Sequence, residues 1–213
     1  MKLLVATTNP GKLREITPLL SGLPIELMTL ADLPPMPEPE EHAATFWENA
    51  RIKALGYART SGLPTVAEDS GLEIDALGGE PGVHSARFLG ASTPYPVRFE
   101  EIFQRLRSKP RDARFVTALA LARGDELQFE TETVIDGTIA NAPSGAHGFG
   151  YDPIFFYPPL GATTGELPLD AKAAVSHRAR AFRDLAAFLI RRGRAPEVRA
   201  RVSGPDLLRG AVR

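Results

Sequence analysis

Thr65-Val66-Ala67-Glu68-Asp69-Ser70-Gly71 sets the frame that the remainder of the chain must fit. A β-branched, apolar run delivers two adjacent carboxylates into Ser-Gly, which predicts a strand ending at a glycine turn with both acids at its tip. Acids so placed suit holding a metal or orienting water better than packing an edge. The continuation Leu72-Glu73-Ile74-Asp75-Ala76-Leu77 alternates apolar and acidic, and Gly78-Gly79 and Pro81-Gly82 mark further turns. Residues 63–88 thus specify much backbone around few reactive side chains.

Upstream, Lys2-Leu3-Leu4-Val5-Ala6 reads as a short strand running into the polar loop Thr7-Thr8-Asn9-Pro10-Gly11-Lys12. Leu13, Ile16, Leu19 and Leu20 then recur at helical spacing. A loop between strand and helix offers backbone N–H groups, side-chain donors and a positive helix end to a phosphate, and Lys12 adds a point charge. The spacing is not that of a Walker A loop, and an ordinary capped turn has the same pattern. Residues 24–29 predict a second strand, and 32–41 a proline- and acid-rich connection. In it Glu38, Glu40 and Glu41 are either a solvated loop or, folded over the site, a welcome for a cation. Thr45-x-x-Glu48 is a capping box opening a helix to about residue 60, with Phe46, Ala50, Ala54 and Tyr57 or Ala58 as its packing stripe. Asn49 and Lys53, one turn apart on another face, point either to solvent or to a ligand groove.

Downstream, Arg87 binds an anion or pairs with nearby carboxylates; the pairing is the plainer expectation. Residues 95–106 predict a helix and 107–111 a basic linker broken by Pro110. Residues 113–122 and 127–139 predict two strands joined through Arg123-Gly124-Asp125-Glu126. In Gly145-Ala146-His147-Gly148-Phe149-Gly150-Tyr151-Asp152-Pro153-Ile154-Phe155-Phe156, glycines between aromatics let backbone approach a flat ligand, with Phe149 or Tyr151 to stack on it. Phe155 and Phe156 are expected in the core. Residues 163–169 form a polar loop, and a helix follows over 172–190, with Ser176 a plausible N-cap and His177 and Arg178 in its first turn.

A chain of 213 residues with ordinary charged and apolar fractions supports a full α/β core. A net charge of −1 gives no overall field for nucleic acid or an anionic membrane. The absence of cysteine excludes disulfides, thiolate chemistry and cysteine zinc sites. Neither a signal peptide nor a membrane span is visible, so the cytoplasm is the expected location. Only five of the 25 basic residues are lysines, and three of these, Lys12, Lys53 and Lys172, fall inside the segments above. Beyond residue 190 the chain carries seven arginines against Glu197 and Asp206. This predicts one domain over 1–192 and a flexible basic extension over 193–213.

Five ordered segments, Thr7-Thr8-Asn9-Pro10-Gly11-Lys12, Phe46-Trp47-Glu48-Asn49-Ala50-x-x-Lys53-Ala54, Glu68-Asp69-Ser70-Gly71-Leu72, Gly148-Phe149-Gly150-Tyr151-Asp152-Pro153 and Ser176-His177-Arg178, together resemble the non-canonical purine nucleoside triphosphate pyrophosphatase family, the HAM1-like inosine/xanthosine triphosphatases. The resemblance runs from about residue 2 to 189. It implies an elongated α/β protein with a long mixed sheet, two lobes and the active groove between them. It also implies a homodimeric, Mg²⁺-dependent enzyme that hydrolyses ITP, dITP and XTP to the monophosphate and pyrophosphate, with no nucleic-acid or membrane partner. Carried over by residue, Thr7, Thr8, Asn9 and Lys12 form the phosphate loop, and Asn49, Lys53 and Ser70 face the substrate, Lys53 toward the triphosphate. Glu41, Glu68 and Asp69 hold the metal and activate water, with Asp69 as base. Phe149, Gly150, Tyr151 and Asp152 wall the base side, and Lys172, His177 and Arg178 contact the nucleotide and its base. Glu68 departs from the aspartate common in bacterial members by one methylene, leaving direct and water-mediated metal binding both open. The alternatives are a septum-site (Maf-like) pyrophosphatase acting on modified or pyrimidine triphosphates, and a non-enzymatic nucleotide or RNA binder using 107–111 and the basic tail.

Overall fold

The computed structural model describes residues 1–194. Apart from Gly193 and Arg194, which end the last helix, the predicted extension over 193–213 lies outside the described residues. In chain order the elements are β1 (Lys2–Val5), α1 (Pro10–Leu20), β2 (Glu26–Thr29), α2 (Phe46–Ser61), β3 (Thr65–Ile74), α3 (Tyr95–Arg105), β4 (Asp112–Arg123), β5 (Glu126–Ile139), β6 (Phe155–Tyr157), β7 (Ala162–Thr163), α4 (Leu169–Val175) and α5 (His177–Arg194), with short 3₁₀ turns between some of them. They build a mixed α/β fold on one seven-stranded sheet, ordered β2-β1-β3-β4-β5-β6-β7. β1 runs parallel to both β2 and β3, and every later pairing is antiparallel.

The crossovers place the site. From β1 the chain passes through α1 to β2 on one side, then returns through α2 to β3 on the other, so the connections diverge between β1 and β3. Strand periodicity sorts the helices onto opposite faces. Val5, Val66 and Leu119 pack with Ile16 of α1 and Phe182 of α5. Leu4, Ala67 and Val116 pack with Phe46, Ala50, Ala54, Tyr57 and Ala58 of α2, the stripe expected from the sequence. A further core lies toward the other end of the long strands, where Leu72, Ile74, Phe115 and Ile139 meet Phe99 and Ile102 of α3 and Phe155. β3, β4 and β5 run from one body of core into the other.

Helix ends follow local chemistry. Thr45 Oγ1 accepts from the Glu48 amide at 3.2 Å, and α2 stops at Gly62, whose φ of +68° suits a left-handed cap. The single helix expected over 172–190 is instead two. Ser176 is extended, with ψ 150°, and its hydroxyl accepts from the Ala179 amide at 3.1 Å, so it closes α4 and caps α5. The basic linker is not a free patch throughout: Arg111 donates to the carbonyls of Ile139 and Ala140 at 2.7 and 2.6 Å.

The expected strand end at Glu68-Asp69 with a turn at Ser70-Gly71 is corrected. β3 pairs with β4 without interruption from Thr65↔Ala122 to Ile74↔Ala113, so both acids sit in mid-strand. Gly71 is there for room rather than for turning. A β-carbon on it would stand 2.3 Å from Ser85 Oγ, 2.6 Å from the Gly82 carbonyl oxygen and 2.9 Å from Phe46. Ser85 uses that hydroxyl to accept from the Leu72 amide at 2.9 Å, fastening the 82–87 turn across the strand. Gly71→Ala is therefore expected to destabilise the protein by about 1–3 kcal/mol, through overpacking against backbone, in a urea titration.

Candidate active site

β1 pairs with β3 only at Leu4↔Thr65 and Val5↔Val66 and then ends, while β3 continues for eight residues. Farther along, the β1-side edge of β3 is taken by the 81–85 segment, where the Leu72 amide donates to Ser85 Oγ and Glu73 bridges Pro81. In open α/β sheets, ligands settle in the crevice that such diverging connections leave at the strand ends. Here a cavity of about 280 Å³ opens, and of the residues to which the family resemblance gives a role in metal or substrate binding it is bordered by all except Asn49.

The mid-strand position of the two acids determines what each can meet, because consecutive strand residues face opposite sides of a sheet. Glu68 shares the face of Val66, under α1 and α5. There Arg178 Nε donates to its Oε1 at 2.7 Å, and Lys12 Nζ stands 3.4 Å from the same atom. Asp69 shares the face of Ala67, under α2. Asn49 Nδ2 donates to its Oδ2 at 3.3 Å and Lys53 Nζ to its Oδ1 at 3.2 Å. Lys53 thus borders the cavity and Asn49 is buried without bordering it; neither is solvent-facing. Lys53 also donates to Glu41 Oε2 at 3.0 Å, pinning the acidic loop over the site.

These environments separate the two carboxyls. Burial would raise both, but at Glu68 the charges of Arg178 and Lys12 outweigh it and hold the group far below the ordinary carboxylate range. At Asp69 burial prevails over Lys53 and Lys12, and Glu41 adds to it, so its pKa is raised. Glu68 is a fixed anion, whereas Asp69 has the greater proton affinity that a general base requires. Burial lowers Lys12, while Lys53, although buried, is raised by Asp69 and Glu41.

The loop after β1 offers a phosphate less than the sequence suggested. Asn9 Oδ1 accepts from the amides of Gly11 and Lys12 at 2.8 and 3.2 Å, and Thr7 Oγ1 accepts from the Asn9 amide at 3.2 Å. The cap occupies two helix-end N–H groups. Thr7, Thr8, Asn9 and Lys12 all border the cavity.

The other end of the cavity is aromatic. Phe149 packs on Gly11, where a β-carbon would lie 2.7 Å from its ring, and Lys172 and Arg178 each hold their charge 5.3 Å from its centroid. Asp152 organises this wall. Its Oδ2 accepts from the Phe149 amide at 2.7 Å and from Lys172, and its Oδ1 accepts from Thr164 Oγ1 at 2.8 Å. A side chain on Gly148 would strike that Oδ2. Tyr151 is not free to stack on a ligand as expected. It is 4% exposed, lies edge-on to Tyr95 and donates its hydroxyl to the Ser85 carbonyl at 3.0 Å. His177 stacks on Phe115 at 4.8 Å with 19° between planes, and its buried Nδ1 has no partner among the described residues. Burial first, then the charges of Arg178 and Lys172, push its pKa well below the ordinary 6.5, so at pH 7 the ring is neutral.

Sequence reasoning missed Glu15. Buried on α1, it accepts from Lys172 Nζ and Arg178 Nη1, each at 2.6 Å. Burial would raise its carboxyl, but the two cations bring it below the ordinary 4.5. Nothing in the spacing of α1 distinguishes it from a solvated glutamate, since both partners lie more than 150 residues away. Arg87 borders the cavity, exposed, and among the described residues it makes none of the expected carboxylate pairs.

For the implied Mg²⁺, donor chemistry agrees: Glu41, Glu68 and Asp69 are all-oxygen and border one cavity, and Glu68 Oε2 is buried without a partner. As they stand, no three acidic or histidine side chains among the described residues are gathered around one point, because Lys53 lies between Glu41 and Asp69.

Residues 3–188 match the model of the Ham1 family. A curated dITP/XTP pyrophosphatase of Geobacter sulfurreducens is 47% identical over 184 residues, covering 85% of this chain and 92% of that protein. One from Thermus thermophilus is 47% identical over 187 residues, covering 87% and 90%. The solved Ham1 protein of Staphylococcus aureus superposes with a TM-score of 0.82 at 33% identity, covering 90% of this chain and all of that one.

Removing Glu15 leaves Lys172 without one of its two acids and Arg178 with Glu68 alone. Glu15→Leu is expected to cost about 3 kcal/mol in urea denaturation at pH 7, the scale of a broken buried pair. The lowered carboxyl contributes fully above pH 4.5 and loses its contribution as pH falls through its folded value, so the variant's deficit should shrink in acid.

Proposed function

The chain belongs to the Ham1 family, and from that premise we propose that it hydrolyses the non-canonical purine nucleoside triphosphates ITP, dITP and XTP to the nucleoside monophosphate and pyrophosphate. The observation that carries this reading is one cavity that is bordered by Lys12 and Lys53, by the Phe149 ring and by a buried carboxylate of raised proton affinity, Asp69. The lysines suit a triphosphate and the ring suits a purine. The septum-site alternative has no support in the relatives found, and a pure RNA binder leaves this buried acid–base arrangement without use.

With the triphosphate lying toward Lys12, Lys53 and the Thr7 and Thr8 hydroxyls, and the base toward Phe149, a water near Asp69 faces the α-phosphorus. Asp69 orients that water and takes its proton as the oxygen bonds to phosphorus and the bond to the pyrophosphate oxygen breaks. Lys12 and Lys53 neutralise charge gathering on the leaving group. Mg²⁺, when bound, would be held by Glu41, Glu68 and Asp69 and would supply further charge neutralisation on the phosphate oxygens. At the base end, Lys172 and Arg178 only donate, so they suit the 6-oxo group of hypoxanthine or xanthine and confront the amino group of adenine. An unpaired polar edge costs about 1–3 kcal/mol, enough for a strong bias. A homodimer working on the cytoplasmic nucleotide pool belongs to the same reading, on the strength of the family resemblance.

A panel of ITP, XTP, GTP, ATP, dTTP and UTP, assayed with Mg²⁺ and with chelator, should release pyrophosphate from ITP and XTP at kcat/KM at least about tenfold above ATP, whose amino group the donors oppose, and only with the metal. Stepwise orthophosphate release or a pyrimidine preference would end the reading. Asp69→Asn should lower kcat by about 100-fold or more while changing IMP affinity much less; an equal loss of both would assign Asp69 to holding the metal.

A further inference from the structure

Tyr95 opens α3 and borders the cavity at its aromatic end, where the reaction above gives it no part. Its ring is held from several sides. Tyr151 stands edge-on at 5.2 Å with 87° between planes, Phe99 lies at 6.1 Å, and the Arg98 guanidinium carbon is 4.7 Å from the ring centroid. Arg98 is itself 2% exposed and donates to the carbonyls of Ser85, Ala86 and Gly90 at 3.0, 3.0 and 3.1 Å. The start of α3 and the 82–90 segment are therefore fastened together through one buried cation.

The neighbouring Tyr151 spends its hydroxyl on the Ser85 carbonyl. The Tyr95 hydroxyl, by contrast, meets no hydrogen-bonding group among the described residues, and burial raises its pKa, keeping it a donor. Across from it Gly150 has φ +67° and no side chain, and a β-carbon there would lie 3.6 Å from the Tyr95 oxygen. That is ordinary contact distance, so without the side chain the Tyr95 oxygen stays uncovered on the Gly150 side, on a fixed phenol that loses little freedom when it binds.

We propose that Tyr95 is a specificity-determining contact whose hydroxyl hydrogen-bonds the nucleoside half of the nucleotide, the sugar or the base edge, and not its phosphates. The lysines that suit phosphate, Lys12 and Lys53, stand with the β1 loop and α2, whereas Tyr95 is surrounded by rings and by a guanidinium already committed to three carbonyls. This rests on the nucleotide reading above, and turnover of ITP by the unaltered enzyme tests that reading separately.

The test compares product inhibition. IMP carries the nucleoside half and pyrophosphate does not, so the two inhibitors divide the cavity. Tyr95→Phe keeps every ring contact and removes only the hydroxyl. It should raise KM for ITP and the inhibition constant of IMP about five- to tenfold, the weight of one neutral hydrogen bond, with kcat and pyrophosphate inhibition unchanged within about twofold. Tyr95→Leu should weaken IMP further. Parallel weakening of IMP and pyrophosphate, or a phenylalanine variant indistinguishable from the parent toward both, would overturn the assignment. If the unaltered enzyme turned over no ITP, the nucleotide reading would fall first, whatever the variant did.

Discussion

The structure turns on a continuous chain of buried ion pairs. Asp152 and Glu15 share Lys172, Glu15 and Glu68 share Arg178, and Glu68 also faces Lys12. Desolvating so many charges is costly, and pairs of this kind seldom stabilise a fold relative to apolar packing. Their effect is to fix where charges stand before any ligand arrives. Each carboxylate lies on a different element, so the chain locks α1, β3, the 148–152 turn, α4 and α5 into one arrangement. Asp69, Lys53 and Glu41 form a shorter chain on the other face of β3. The site consists of two neutralised networks separated by the thickness of one strand.

That separation follows from elementary strand geometry. Two adjacent acids in a continuous strand cannot face the same helix, so one fold position provides two electrostatic environments. Glu68, beside Arg178, stays ionised; Asp69, buried against α2, holds a proton more readily. Two carboxylates with divided affinities are what a reaction needs when one must stay charged while the other accepts a proton. The early end of β1 makes both reachable, since a full-length β1 would have covered the edge around which they turn.

Much of this was legible in the sequence. The N-cap at Thr45, the α2 stripe and the β4–β5 hairpin are local patterns, set by spacing within a few residues, and they stand where the spacing put them, although Glu48 accepts from the Thr45 hydroxyl and not from its amide as a full capping box requires. Reading a turn at Ser70-Gly71 failed because glycine was assigned its commonest use. In mid-strand its reason is the approach of Ser85 and Phe46, which no local pattern encodes. Ser176 was read as a helix start, yet the helix before it was not separated, because Lys172-Ala173-Ala174-Val175 continues the same periodicity across the break. Glu15 and Tyr95 escaped for a common reason. Each has a role defined by partners brought from distant segments or by the absence of any partner, and both properties belong to the folded arrangement.

The networks also constrain how a triphosphate can enter. Each cation suited to phosphate already neutralises an acid suited to metal: Lys53 lies between Glu41 and Asp69, and Lys12 faces Glu68. If phosphate drew the lysines away alone, it would leave buried carboxylates uncompensated, and a cation binding alone would leave the lysines so. Either half-step exposes charge in a low-dielectric cavity, where an unpaired ion is far more costly than a paired one. Under the proposed reaction the favourable route is an exchange of partners, in which Lys12 and Lys53 would turn to the substrate's phosphates while Glu41, Glu68 and Asp69 would hold the cation that accompanies it. The charge of the cavity then stays balanced throughout, and the free protein keeps both networks closed until a ligand carrying both charges arrives.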